Sequence, residues 1–444
     1  MIAPKSESSV RSTANAASAY KLPIVCLVLI TSVLGGCASA RMSDREPDRL
    51  FRQGRYDEAA VKLNDGVKDQ GLNGRDLLLY LLDLGLVLHT EGKYKESNQI
   101  FFQADKIAEI KDYTSLTTEG ASLLVSDNIT DYKGEDFEKV LISMYLSLNY
   151  ALMGDHENAI VESRRVNRKL LLMITEGERK YKQNAFARYM SGVLYEADGN
   201  WNDAYIDYKA AAELAPSFAP LGRDLWRMAY LDSMQDQADE WAEKYEIGAD
   251  EIASLKALYP RRQRRAAGAV DAAPKGEIVV IYENGISPIK RPNPNYNAVP
   301  RFYPRYNPVL SAKILLNGTE RAETYRLDDI ETTAIENLED KWGGLIAKKI
   351  GGGVAKVAAG VGVAKLTNSP LLGYIASRVL FLADEADLRS WNLLPKDLQI
   401  ARIPVDAGKY TVRCHPIGDS DLPEREVTVA AGQKVFVNFR YTPR

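Results

Sequence analysis

Apolar positions follow three different patterns along the chain, and each predicts a different kind of element. A largely apolar run from Leu22 to Val33 follows a segment bearing Lys5, Arg11 and Lys21. It is shorter than the roughly 20 residues a bilayer-spanning helix needs, so it reads as the core of a secretory leader. From about residue 44 to 255, apolar residues recur three and four positions apart, the spacing of amphipathic helices packed in pairs. After Gly276 the period changes. Glu-Ile-Val-Val-Ile-Tyr-Glu-Asn-Gly285 is a β-branched run closed by Asn-Gly, which predicts a buried strand and a turn.

Further strands are expected at Ala312 to Leu316, Lys409 to Cys414, Glu426 to Val429 and Lys434 to Phe439, together forming a small antiparallel sandwich. Ser287 to Pro308, rich in proline and tyrosine, reads as extended chain. A helical block, Asp328 to Asp387, interrupts the strands. Its middle, Gly343 to Leu366, is built of Gly, Ala, Val, Ile and Leu with Lys348, Lys349, Lys356 and Lys365. The expectation is a buried helical hairpin turned near Thr367 to Pro370. The alternative is a helix that packs closely on another or lies on a membrane surface.

Within the helical region the pairs repeat. Gly192, Tyr195, Gly199, Ala204, Tyr208, Ala211 and Pro216 match the small, large, turn and proline sites of a tetratricopeptide repeat over Ala185 to Phe218. Leu81, Leu84, Gly85, Leu88, Gly92, Tyr94, Phe101 and Ala104 form a second copy, with Ser97 at a site that usually holds alanine. A third keeps Leu146, Ser147, Tyr150, Gly154 and Ala159, and a fourth survives as Gly54, Tyr56, Ala59 and Leu63 after a helix shortened by Pro47. The turn glycines are further apart than the period of about 34, so insertions fall at 110–139 and 174–182. Leu221 to Tyr245 reads as one more pair without the glycines, the usual condition of a terminal repeat.

The predicted fold is α+β: an α-solenoid of tetratricopeptide-like helix pairs (37–255), a linker rich in arginine and alanine (256–275), and a smaller β-sandwich-like domain (276–444) with a helical insertion at about 328–390, all after a leader over 1–36. In such a solenoid the first helix of each pair lines a concave groove. Its positions here are Leu79, Leu82, Leu86 and His89, then Leu141, Met144, Leu148 and Ala151, then Phe186, Tyr189, Val193 and Glu196. Leu82, Leu86, Met144, Leu148, Tyr189 and Val193 are the candidate partner-binding residues. An apolar face of this size is covered by something, either a partner or, more often, the chain's own insertion or carboxyl domain.

Charge and chemistry narrow the function classes. The formal net charge is −3, with the basic leader included, which gives no electrostatic reason to expect nucleic acid. His89, His156 and His415 are scattered, Cys26, Cys37 and Cys414 form no metal-binding pair, and no phosphate loop ending in Lys-Ser/Thr follows Gly351-Gly352-Gly353. No catalytic residue, metal or cofactor is therefore expected. The nearest thing to an acid/base cluster is Asp384 to Trp391, with Glu385, Asp387 and Arg389. This is the basis of an alternative reading as an envelope enzyme or peptidoglycan-binding or processing subunit.

Leu34-Gly35-Gly36-Cys37, followed by Ala38 and Ser39, resembles the lipobox of bacterial lipoproteins. The resemblance implies cleavage before Cys37, acylation of that residue, and, since no aspartate follows, sorting to the outer membrane on its periplasmic side. Two longer stretches, Ser126 to Val140 leading through Leu148-Asn149-Tyr150 to Glu162-Ser163-Arg164-Arg165, and Asp384 to Pro395, resemble uncharacterised tetratricopeptide-repeat lipoproteins of Gram-negative bacteria. So do Ile278 to Lys290 and Asp406 to Val412. That resemblance implies a scaffold for an envelope protein of unknown identity, tethered through its amino-terminal lipid. Glu135, Asp136 and Glu138 start a helix where the dipole favours anions, and Arg164 and Arg165 are candidates to pair with them.

Overall fold

The structure, a computed structural model, describes residues 46–117, 131–175, 184–259, 275–294, 296–372, 374 and 386–443. The leader and Cys37, much of the 110–139 insertion, the 260–274 linker and Asp384 with Glu385 lie outside these residues. Helices α1 (Glu46–Arg52), α2 (Tyr56–Gln70), α3 (Leu77–Glu91), α4 (Tyr94–Thr117), α5 (Asp136–Leu152), α6 (His156–Thr175), α7 (Ala185–Ala197) and α8 (Trp201–Leu214) pack as successive antiparallel pairs. A fifth pair, α9 (Pro220–Leu231) and α10 (Gln235–Lys244), and a last helix α11 (Ala249–Leu258) end the stack.

The repeat sites do the work their residue types imply. Gly54, Gly92, Gly154 and Gly199 all hold φ between 74° and 88°, a left-handed conformation that lets a first helix stop and reverse. A Cβ at Gly192 would lie 2.7 Å from the Tyr208 ring, and one at Gly85 would lie 2.6 Å from Phe101, so the bare backbone is what admits the aromatic ring. Ser97, standing where alanine is usual, donates to the Gly85 carbonyl at 2.7 Å, and Ser147 donates to that of Ala159 at 2.8 Å. Both small residues cap a buried carbonyl across the pair.

Among the described residues the strands form two four-stranded sheets and a hairpin. The first sheet has the order β10 (Lys434–Arg440), β1 (Gly276–Asn284), β7 (Asp397–Val405), β6 (Tyr325–Asp329). The second has the order β5 (Thr319–Glu323), β4 (Ala312–Leu316), β8 (Gly408–Pro416), β9 (Arg425–Val429). The hairpin, β2 (Ile289–Asn293) and β3 (Tyr296–Tyr303), replaces the extended chain expected there. The expected all-antiparallel sandwich is also corrected, because β1 pairs with β10 in parallel. Strand β10 arrives from the second sheet rather than through a tight turn from β1, so nothing forces the antiparallel direction.

Alternate residues of the first sheet serve two cores. Ile278, Val280, Tyr282, Ala401, Ile403, Val437 and Phe439 pack against the second sheet. Val279, Ile281, Leu398, Ile400 and Phe436 face the other way and belong to the same core as the helix pairs. The molecule is thus three layers, helices on sheet on sheet, and not two units held only by a linker. Helices α12 (Ile330–Asp340) and α13 (Trp342–Thr367) leave from the edge strand β6. The expected buried hairpin is corrected over the described residues: Trp342 and Leu345 pack on the core, but Val361, Leu366 and Leu371 are exposed.

Candidate functional site

The groove positions read from the repeat pattern do lie together on α3, α5 and α7, and all twelve are buried. The chain's own first sheet lies across them. Leu82, Leu86, Met144, Leu148, Tyr189 and Val193, the candidate partner-binding residues, share one core with Val279, Ile281, Ile400 and Phe436, so none faces an open surface. The physical reason is the two-faced sheet: its helix-side apolar residues need cover as much as the groove does.

Polar residues fix how the sheet sits. At the centre, His89 Nε2 lies 2.7 Å from Glu283 Oε1 of β1, and its Nδ1 lies 2.5 Å from Asn149 Oδ1. Asn149 in turn donates to Ser97 and Asn98 at 2.9 and 2.8 Å, Tyr145 donates to Glu283 at 3.3 Å, and Asn438 of β10 donates to Glu283 at 2.9 Å. Burial alone raises the Glu283 carboxyl, but His89 and Arg440 outweigh it and hold it below the usual range.

At the carboxyl end, Arg402 of β7 reaches Glu196 of α7 at 2.8 Å, Glu277 of β1 at 2.7 Å and Asp224 of α9 at 3.2 Å, and donates to Tyr208 at 2.8 Å. Arg227 joins Glu196 and Asp224 at 2.8 and 2.7 Å, and Lys434 joins Glu196 at 3.0 Å and also Glu277. Three cations face three carboxylates; Arg227 and the carboxylates are buried, and the side chains of Arg402 and Lys434 are 9% exposed. Burial again acts to raise Glu277, yet Arg402 and Lys434 bring it down to about 2.

The third cluster joins the two family-like stretches. Glu138 accepts from the Trp391 amide at 2.7 Å, from the Glu135 amide at 2.9 Å and from the Tyr132 hydroxyl. The bond from the Glu135 amide belongs to a capping box at the start of α5. Glu135 binds Lys290 and, at 3.2 Å, Lys341, and Arg389 binds Asp387 at 2.8 Å and Asp76 at 2.9 Å while its guanidinium lies 5.4 Å from the Tyr132 ring. Trp391 fills the space between Phe101 and Tyr145, 5.8 and 5.7 Å from their ring centres. Arg164 and Arg165 are not the partners of these acids. Arg165 pairs with Asp105 at 2.5 Å and Glu162 at 3.2 Å, and Arg164 donates to Tyr195 at 2.6 Å.

No family model matches the chain, and no curated protein matches it either. Among solved structures it is similar to a crystal structure of MamA, at 14% identity over 48% of this chain and 99% of that one, with a TM-score of 0.32. It is also similar to the TPR-like repeats of a Podosopora anserina putative kinesin light chain, at 13% identity over 48% of this chain and 91% of that one, with a TM-score of 0.31. With likeness this low, the helical-repeat architecture rests on the hairpins of this chain itself.

The clasp residues Glu196, Glu277, Glu283, Arg402, Lys434 and Arg440 are what sequence reasoning missed as a set. Each is a charged residue at a position whose neighbours in the same pattern are apolar, and that is the signal: a charge at an inner repeat site, and charges on the helix-facing side of a strand buried on both faces. Among the described residues no group of three or more His, Cys, Asp or Glu is arranged to hold a metal ion.

Proposed function

We propose that this chain is an outer-membrane lipoprotein, related to the tetratricopeptide-repeat lipoproteins of Gram-negative bacteria. It is held by acyl groups on Cys37, faces the periplasm, and serves as a scaffold for another envelope protein. Leu34-Gly35-Gly36-Cys37 after an apolar run supports the anchor, and each buried methylene of the acyl chains adds about 0.8 kcal/mol of membrane affinity. The observation that carries the scaffold reading is the stack of helix pairs, whose inner groove is occupied by the chain's own sheet and joined to it by polar contacts such as Arg402 with Glu196. A partner then meets the outer surface. One candidate is the cavity of about 520 Å³ between α8 and α10, lined by Tyr205, Lys209, Glu213, Trp241 and Lys244.

Of the cluster behind the enzyme reading, Asp384 and Glu385 lie outside the described residues. Arg389 is tied to Asp387 and Asp76, and Trp391 is packed among rings. Metabolic labelling with a clickable palmitate tests the anchor. The chain takes up label and fractionates with the outer membrane, whereas Cys37→Ala loses the label and becomes soluble. An unlabelled chain that remains membrane-bound contradicts the anchor. Crosslinking from Lys209 and Glu213 tests the scaffold, which requires an envelope protein captured there and none captured from Leu82.

A further inference from the structure

The β2–β3 hairpin divides its residues between two faces, as alternation along a strand requires. Lys290 and Phe302, opposite each other in the register, are buried. Lys290 pairs with Glu135 and Phe302 lies edge-on to Phe137 at 6.3 Å, so α5 holds this face. The next pair, Arg291 opposite Arg301, belongs to the other face, and both residues are exposed. Like charges directly opposite destabilise an antiparallel pair, where Cβ atoms are only about 4.5–5.5 Å apart. Among the described residues no carboxylate pairs with either arginine, whereas exposed Arg55, Arg223 and Arg413 reach Glu58, Glu251 and Glu424. Instead both guanidiniums border one ring, at 6.0 and 5.9 Å from the centre of Tyr303. The base beneath them is stiff, since Pro292 faces Pro300 across the hairpin and Trp342 donates to the Pro300 carbonyl at 3.4 Å.

Two guanidiniums on a fixed base, with no counter-charge of their own, form a clamp for one dianion. A phosphate monoester carries about −1.5 to −2 charge at neutral pH and has oxygens enough to accept from both arginines at once, whereas one carboxylate balances only one of them. We propose that Arg291 and Arg301, beside Tyr303, bind a phosphate monoester group, at a site separate from the acyl anchor and from the cavity between α8 and α10. The test uses the mature chain carrying Cys37→Ser, titrated calorimetrically with phenyl phosphate at constant ionic strength, with benzoate as the single-charge control. Phenyl phosphate binds, and benzoate binds at least about tenfold more weakly. Arg291→Glu, which turns the opposed pair into an ion pair, and Arg301→Gln each remove the binding while melting no lower than the parent, because both relieve the repulsion. Vesicles of phosphatidylcholine with phosphatidic acid, a lipid whose headgroup is the same monoester, tell the sources apart. Flotation that both variants abolish assigns a lipid headgroup, and phenyl phosphate binding without flotation assigns a soluble phosphate ester. Binding of neither probe, benzoate binding as tight as that of phenyl phosphate, or binding that survives the variants overturns the proposal. So does a variant that melts well below the parent, which would make the arginine pair part of the hairpin's packing.

Discussion

His89 and Glu283 meet with no exposure to solvent, so each is the other's polar partner in a core where an unpartnered group would be stranded. Removing one partner of such a pair leaves the other buried and uncompensated, which costs about 3–5 kcal/mol, whereas replacing both by apolar residues of similar size costs much less. Glu283→Leu and His89→Leu are therefore each strongly destabilising, and the double variant melts above either single one. Thermal unfolding of the four proteins checks this, and additive losses would contradict it. The carboxylates also set a pH dependence. Glu277, brought down to about 2, and Glu283 and Glu196, held low by their cations, contribute stability at neutral pH. The unfolded chain binds their protons first, so this stability is lost as the pH falls from about 4.5 toward 2. Asp328 and Asp397, pushed up to about 6 by burial, act oppositely and withdraw stability as the pH rises from about 4 to about 6. Melting temperature against pH then falls steeply on the acid side, and replacing Glu277 with Gln flattens that arm.

At the scale of elements, the helix pairs with turn glycines were legible because a close crossing leaves a fixed mark: glycine where a ring must enter, glycine where φ is positive. The fifth pair lacks that mark. At its turn Ser233 takes φ 64°, a conformation an L side chain adopts at a cost, and the chain pattern there hides the repeat. Ser233→Gly is expected to raise stability by about 0.5–1 kcal/mol, read from a denaturation midpoint shift at constant slope. Gly85→Ala goes the other way. Its Cβ would press on the buried Phe101 ring, an overpacking worth about 1–3 kcal/mol. Strand β7 escaped prediction because Asp397 to Val405 is buried on both faces and mixes Asp, Gln, Arg and Pro with its apolar residues, so neither alternation nor a clean apolar run appears. The direction of β10 escaped for another reason, since a parallel partner can be remote in sequence and no turn announces it.

For the whole molecule, the sequence offered the carboxyl domain, beside the 110–139 insertion, as a cover for the apolar groove, and the first sheet of that domain lies there; which residues make the contact was not legible. What joins them is long-range: charges on the inner helices meet charges on the sheet, and no local pattern pairs Glu196 with Arg402. The two family-like stretches are explained at this scale, as the Glu138 and Trp391 ends of one clasp between helices and sheet. Trp391→Ala should cost about 3–5 kcal/mol and loosen the docked sheet, seen as faster hydrogen exchange in α3 and α5 as well as in β7. The central claim, that the groove is occupied by the chain's own sheet, is tested most directly by photoleucine at Leu82, Leu86 and Leu148 and photomethionine at Met144, which match the natural side chains in size. After illumination in cells, mass spectrometry should find crosslinks within the chain to 277–283, 391–402 and 434–440. Crosslinks from these positions to a different protein, with the sheet unmarked, would contradict the account.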